Sequence, residues 1–153
     1  MELHAAVAAL DEAKSDFVRA IQEVPSEALS FRKPEDDYSL GGLIAHNVGV
    51  VQHYRLVLRA LVEGGFSPVR PEDPPCFWEQ VADRAKSALP ADGLSEALGE
   101  LEREHSPFAD ELLARADDFE RKGDVLYGGD KAPTPTSPED ILGWVRDHYR
   151  EHV

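Results

Sequence analysis

The sequence predicts an all-α protein, a four-helix bundle with long loops at one end, formed as a single domain over residues 1–153. Four long segments place apolar residues at helical spacing, and no segment shows a convincing alternation of apolar and polar residues. The connecting segments are rich in proline and glycine, which disfavour regular structure. A chain of 153 residues can bury roughly 70% of its unfolded surface, so one core is expected.

The first two helices are separated by a connection over residues 25–38. Apolar positions recur on one face of residues 3–24 until Pro25 interrupts the pattern. Lys14 projects from that face, either as a snorkelling side chain or as a contact for a substrate anion. Ser39 is a good N-cap for a second helix that runs to about Glu63 and ends at two glycines. Its apolar sector is broad, so most of this helix is expected to be buried.

The middle of the chain predicts a loop over residues 64–76, a short helix over residues 77–88 and a third long helix over residues 94–119. Pro107 lies inside the third helix and removes one backbone hydrogen bond there. His105 lies on its apolar face. We interpret His105 as a hydrogen-bonded core residue, with a metal contact as the alternative. Residues 120–136 form a second long loop.

The final helix has the clearest start. Ser137 is a good N-cap, Pro138 suits the first helical position, and Glu139 and Asp140 place negative charge where the helix dipole favours it. With about 100° of rotation per residue, five residues of this helix fall on one stripe, and three of them are apolar. We therefore expect the two histidines of the stripe to face the core. The stripe consists of Ile141, Trp144, Val145, His148 and His152.

His148 and His152 have the spacing of paired metal ligands. Residues four apart on a helix have Cβ atoms roughly 6 Å from each other, so both imidazoles could bind one divalent ion. A third histidine could come from helix two, where His46 and His53 lie along nearly the same edge. They are about 10 Å apart along the axis, so we expect only one of them to share that ion. The alternative is that all of these histidines are core residues.

Composition excludes several classes of partner. The chain has 16 basic and 30 acidic residues, a net charge of −14, which argues against nucleic acid and anionic membranes. Cys76 is the single cysteine, which excludes a disulfide and a cysteine-based zinc site within one chain. No apolar run approaches the roughly 18 residues of a membrane-spanning helix, and the N-terminus lacks a basic leader. We therefore expect a cytoplasmic protein.

Several of these motifs together resemble the DinB-like family. They are Arg32-x-Pro34, the segment Tyr38-Ser39-Leu-Gly-Gly-Leu-Ile-Ala-His46, the segment Thr136-Ser-Pro-Glu-Asp-Ile-Leu142, and Asp147-His148-x-x-x-His152. The family's Trp-Ser entry to the second helix is Tyr38-Ser39 here. The resemblance covers nearly the whole chain. It implies a metal-binding four-helix bundle whose three ligands are His46, His148 and His152, and it makes a homodimer plausible.

Three neutral imidazoles suit a borderline divalent metal, Zn or Ni first and Fe or Mn as further candidates. Such a site, together with what the resemblance implies, predicts a metal-dependent enzyme, a thiol S-transferase or a hydrolase, that activates a low-molecular-weight thiol or water against a small-molecule substrate. The alternative is a non-catalytic stress-response protein that binds a metal or a ligand. A purely structural bundle is the third hypothesis. The catalytic residues, the substrate and the reaction are not identified by the sequence.

Overall fold

The computed structural model describes residues 2–31, 38–87, 89, 91–127 and 132–152. The described chain is mostly helical, as the sequence predicts. Its elements in order are α1 (Leu3–Gln22), α2 (Gly42–Glu63), α3 (Phe77–Lys86), α4 (Leu94–Leu113), β1 (Gly123–Val125), β2 (Thr134–Thr136) and α5 (Pro138–Glu151). Short 3-10 turns lie at Ser26–Ala28, Ala91–Gly93 and Ala116–Asp118. Arg32 and Pro34 of the motif resemblance lie outside the described residues.

Each of the four long helices packs against two of the others. α1 contacts α4 and α5, and α2 contacts α4 and α5 from the other side. Among the described helices, α3 makes substantial contacts with α2 only. The apolar faces meet in one core whose fully buried side chains include Leu10, Phe17, Ile44, Leu58, Phe108, Leu112, Ile141 and Tyr149. The periodicity in the sequence therefore indicated the correct faces for α1, α2 and α4.

The loop predicted over residues 120–136 contains two short strands. β1 and β2 pair antiparallel inside the predicted loop, with Gly123 opposite Thr136 and Val125 opposite Thr134. Val69 joins the same edge, because its N–H donates to Asp124 O (3.0 Å) and its carbonyl accepts from the N–H of Leu126 (2.9 Å). Strands of three residues are too short to show a period-two pattern. The ladder ties the loop after α2 to the loop before α5.

The predicted third helix is shorter than expected. α4 continues through Pro107 but ends at Leu113, and residues 116–118 form a separate 3-10 turn. Phe119, predicted as the last residue of the helical stripe, is still buried. None of the described helices is long and apolar enough to cross a bilayer.

Candidate metal centre

His46 of α2, His148 of α5 and His152, the C-cap of α5, lie together. One ring nitrogen from each residue can be chosen so that all three lie within 4.8 Å of one another. The ring centroids of His46 and His148 are 5.5 Å apart, and those of His46 and His152 are 5.3 Å apart. Within the described ranges, this is the single group of histidine, cysteine or carboxylate side chains with the spacing of a metal site. The three histidines could hold a metal ion.

The start of α5 is set by a capping box. Ser137 Oγ accepts from the N–H of Asp140, and Asp140 Oδ2 accepts from the N–H of Ser137, both at 3.0 Å. Asp140 also accepts from Lys122 Nζ (3.0 Å), which holds the helix start against the strand region. The predicted N-terminus of this helix is therefore confirmed.

The predicted core-facing stripe of α5 is rotated from the observed one. The buried residues are Pro138, Ile141, Leu142, Val145 and Tyr149. His148, His152 and Trp144 are only half-buried, at the border of this face. The reason is that α5 packs on α1 as well as on α2, and Leu142 and Tyr149 belong to the face that meets the core. The two histidines are thereby left at the edge that faces His46.

His46 is positioned by a close approach of α2 to the end of α3. The N-cap of α2 is Gly41 rather than the predicted Ser39. Ser39 Oγ nevertheless accepts from the N–H of Gly42 (2.9 Å) and donates to Ser87 O (3.1 Å), which ties the start of α2 to the residue after α3. A Cβ at Gly42 would lie 1.8 Å from the carbonyl oxygen of Ala85. Only glycine therefore permits this contact. It places α3 beside the first turns of α2, next to His46.

The electrostatics of the cluster favour neutral imidazoles. Burial, followed by the neighbouring His152 and His148, lowers the pKa of His46 to about 4. Burial and His148 also lower the pKa of His152, while Glu151 opposes both shifts. Neutral imidazoles are the form that binds a metal. His46 and His152 thus present lone pairs at neutral pH.

One buried polar group at this site has no partner in the described part of the chain, and the same holds for the residue that follows His46. The Nε2 atom of His152 is buried and has no hydrogen-bond partner among the described residues. Asn47, which follows His46 on α2, is buried with both of its amide atoms equally unpaired within the described ranges. Burying such groups without partners costs free energy. A cation at the three imidazoles would satisfy His152, so the residues present fit a metal ion.

A cleft of about 400 Å³ lies beside His46. Tyr38 and His46 contribute to its lining, and Trp78, Val81, Ala82, Ala85 and Lys86 of α3 supply the rest. The Tyr38 ring also contacts His152, with centroids 5.6 Å apart and the rings nearly perpendicular. His46 is therefore reachable by a small molecule. The sequence did not predict that α3 forms a wall of this cleft.

His53, the alternative to His46, has a different environment. Its Nδ1 lies 2.9 Å and 3.0 Å from the two carboxylate oxygens of Asp73. A carboxylate can only accept, so His53 Nδ1 carries the proton. Its ring contacts Trp78, with centroids 5.2 Å apart. His53 thus belongs to a separate pair with the loop before α3.

His105 and Lys14 also have partners away from the three histidines. His105 contacts Tyr149 Oη (3.0 Å) through Nδ1 and Asp11 Oδ1 (2.7 Å) through Nε2, which makes it the hydrogen-bonded core residue that we predicted. The Lys14 amine pairs with Glu102 of α4. Tyr149 and Asp11 were missed by the sequence reasoning. Their hydrogen bonds to His105 join α1, α4 and α5. Contacts between such distant residues leave no local pattern in the sequence.

The chain was compared with protein-family models, curated proteins and solved structures, and none of the three comparisons found a match.

Proposed function

We propose that His46, His148 and His152 bind one divalent metal ion at the centre of a DinB-like four-helix bundle made of α1, α2, α4 and α5. We propose further that the protein is a metal-dependent enzyme that activates a thiol or water for transfer to, or hydrolysis of, a small molecule. One observation supports the proposal above all. His46 and His148 are 102 positions apart in the chain, yet one ring nitrogen of each of the three histidines lies within 4.8 Å of the other two.

Three neutral nitrogen ligands favour Zn or Ni, with Fe or Mn as further candidates. When bound, such an ion would lower the pKa of a coordinated thiol or water and supply a nucleophile near neutral pH. No cysteine or carboxylate joins the three imidazoles in the described part of the chain, so a three-ligand site would keep room for an exogenous group. This is the donor set expected of a catalytic rather than a closed structural site.

The chain's own residues would hold and orient the reactants. The cleft admits a small molecule next to His46, and the Tyr38 ring contacts both His46 and His152 there. In the transfer reaction the thiol loses its proton to solvent, its sulfur forms a bond to the electrophilic carbon, and the leaving group departs with the electron pair of the broken bond. Proximity in the cleft would make this encounter effectively intramolecular.

Metal analysis of single variants tests the site. We expect about one equivalent of metal in the unmodified protein without a histidine tag, and large losses in His46→Ala, His148→Ala and His152→Ala. His53→Ala is the matched control, because His53 lies on the same helix but pairs with Asp73. If only His53→Ala loses the ion, the assignment of His46 is wrong.

Turnover tests the enzyme separately from the metal. The metal-loaded protein should accelerate the reaction of glutathione with chlorodinitrobenzene, or the hydrolysis of an activated ester, and a chelator should abolish the rate. His148→Ala should lose the activity together with the metal. Full metal occupancy without turnover on a panel of thiols and esters would favour the non-catalytic metal-binding protein instead.

A further inference from the structure

The cleft beside His46 has an unusual charge for this chain. The protein carries a net charge of −14, yet Lys86 is the one charged side chain among the described residues that line the cleft. Lys86 is exposed and forms no ion pair with a described residue, whereas Lys14 and Lys122 each have a carboxylate partner. An uncompensated ammonium group at a cleft in an acidic protein favours an anionic ligand.

The other walls of the cleft are aromatic and apolar. Trp78 is 43% exposed, among the most exposed large apolar side chains of the described residues. Tyr38 also lines the cleft, and its ring contacts His46 and His152. The remaining apolar lining consists of Val81, Ala82 and Ala85. Flat aromatic surfaces favour a planar apolar group.

The exposed indole of Trp78 is fixed in place. Its Nε1–H donates to Asp73 Oδ2 (2.9 Å), and the same carboxylate oxygen accepts from His53 Nδ1 (2.9 Å). The His53 ring contacts the indole as well. The polar edge of Trp78 is therefore satisfied by the protein, and its apolar surface remains free at the cleft. His53 and Asp73 act as positioning residues for this wall.

A larger cleft, of about 770 Å³, lies between α2, α3 and the loop before α3, but its arginines are already paired with carboxylates. Arg55 pairs with Glu104 and Glu111, and the two other lining arginines, Arg59 and Arg84, each pair with a glutamate. An ion already paired offers little net attraction to a further ligand. The smaller cleft is therefore the better candidate for binding an anion.

We propose that the cleft formed by Tyr38, Trp78 and Lys86 binds a small planar organic anion, an aromatic or conjugated carboxylate, with its ring against Trp78 and its carboxylate paired with Lys86. As an assignment of substrate class this rests on the proposed function, because the cleft adjoins His46. A cleft of about 400 Å³ lies within the roughly 300–1,000 Å³ range of small-molecule sites. Binding itself requires only the described side chains.

The test compares benzoate with benzamide, which share a ring and differ in charge. Both are titrated into chelator-treated protein, and the indole N–H signal of Trp78 is followed by NMR. The chain has two tryptophans, so Trp144→Phe assigns the two signals, and Trp144 serves as an internal control outside the cleft. At low salt we expect benzoate to bind about threefold to fivefold more tightly than benzamide, the effect of one exposed ion pair.

Variants of Lys86 separate charge from shape. Lys86→Gln should bring the ratio of the two affinities close to one, and Lys86→Arg should keep the preference for benzoate. Arg103→Gln, which removes an exposed cation from α4, is the matched control and should change nothing. Equal affinities in the unmodified protein, a preference that survives Lys86→Gln, or no saturable binding would each overturn the proposal.

The two proposals fail in different ways, because this titration is carried out without metal. Benzoate binding that depends on Lys86 in a protein that takes up no metal would contradict the metal enzyme and keep the anion site. Metal binding without benzoate binding would contradict the anion site and keep the metal enzyme.

Discussion

At the scale of single residues, the buried His105 shows how hydrogen-bond chemistry determines a protonation state. Burial lowers the pKa of His105, so the ring is neutral at pH 7 and has one N–H. Asp11 can only accept, so Nε2–H donates to Asp11 and Nδ1 accepts from the hydroxyl of Tyr149. Burial also raises the pKa of Tyr149, which keeps that hydroxyl protonated. All three residues are therefore satisfied in one arrangement.

Tyr149→Phe should lower the free energy of unfolding by about 1–2 kcal/mol, because it leaves a buried acceptor on His105 without a donor. Urea denaturation at pH 7 measures this. Tyr54→Phe, at a half-buried tyrosine on α2, is the control, with an expected change within about 0.5 kcal/mol. Equal losses in both variants would show that the hydrogen bond to His105 contributes nothing measurable.

His46 makes stability depend on pH. Its pKa falls from 6.5 in the unfolded chain to about 4 in the folded one, so between these values the unfolded chain binds more protons. This contribution to stability is present in full above about pH 6.5 and is lost as the pH falls towards 4. Discounted for solvent screening of a half-buried group, it is worth about 1–2 kcal/mol.

Urea denaturation of the chelated protein at pH 4.5 and at pH 7 should show that loss, and His46→Gln should reduce the difference between the two pH values. The exposed His4, changed to glutamine, provides the control and should leave the difference unaltered. A pH dependence that is the same in His46→Gln as in the unmodified protein would contradict the assignment of this shift to His46.

At the scale of the element, the two ends of α5 are stabilised differently. The first turn has a capping box and the lysine contact at Asp140, whereas the last turn ends in a long hydrogen bond from the N–H of His152 to Tyr149 O (3.4 Å). Helix ends without caps fray. A metal ion at His148 and His152 would hold the last turn against α2.

Hydrogen exchange should therefore respond to metal at one end of α5 only. Adding a chelator to the metal-loaded protein should reduce amide protection at residues 150–152 and leave residues 141–143 unchanged, which makes the first turn an internal control. Protection of the last turn that is the same with and without the chelator would indicate that His152 is packed rather than bound.

At the scale of the whole molecule, the broad apolar sector of α2 is covered within one chain. α2 packs against α3, α4 and α5, and its residues Val50, Val57 and Leu61 are buried. The exposed large apolar side chains of the described residues are Phe31, Trp78 and Leu113. A homodimer would have to use a surface other than the core face of α2.

We keep the homodimer as a proposal. Light scattering at micromolar concentration should give a mass of about twice 16.9 kDa, and the mass should fall to that of one chain on dilution if the interface is small. A mass of 16.9 kDa at every concentration would refute the dimer. It would leave the metal centre untouched, because all three histidines come from the same chain.

The sequence by itself determined what short-range physics controls. The capping signals of Ser137 and Asp140, the apolar periodicity of the long helices and the spacing of His148 and His152 are properties of neighbouring residues, and all of them are present in the structure. The three-residue strands were not predictable, because so short a strand has too few residues to show a pattern. The exact buried face of α5 was not predictable either, because α5 packs on both α1 and α2 and the sequence does not show where each contact ends.

Only the tertiary structure decided which histidine meets α5 and what the others do. In the sequence His46 and His53 are equivalent, because both lie along one edge of the same helix. Their environments differ because the end of α3 packs against Gly42, near His46, whereas His53 hydrogen-bonds to Asp73. Asp11, one of the two partners of His105, lies 94 positions away in the chain, and the cleft lined by Lys86 exists only after α3 packs on α2. Contacts between residues so distant in the chain arise from packing, which leaves no local signature in the order of amino acids.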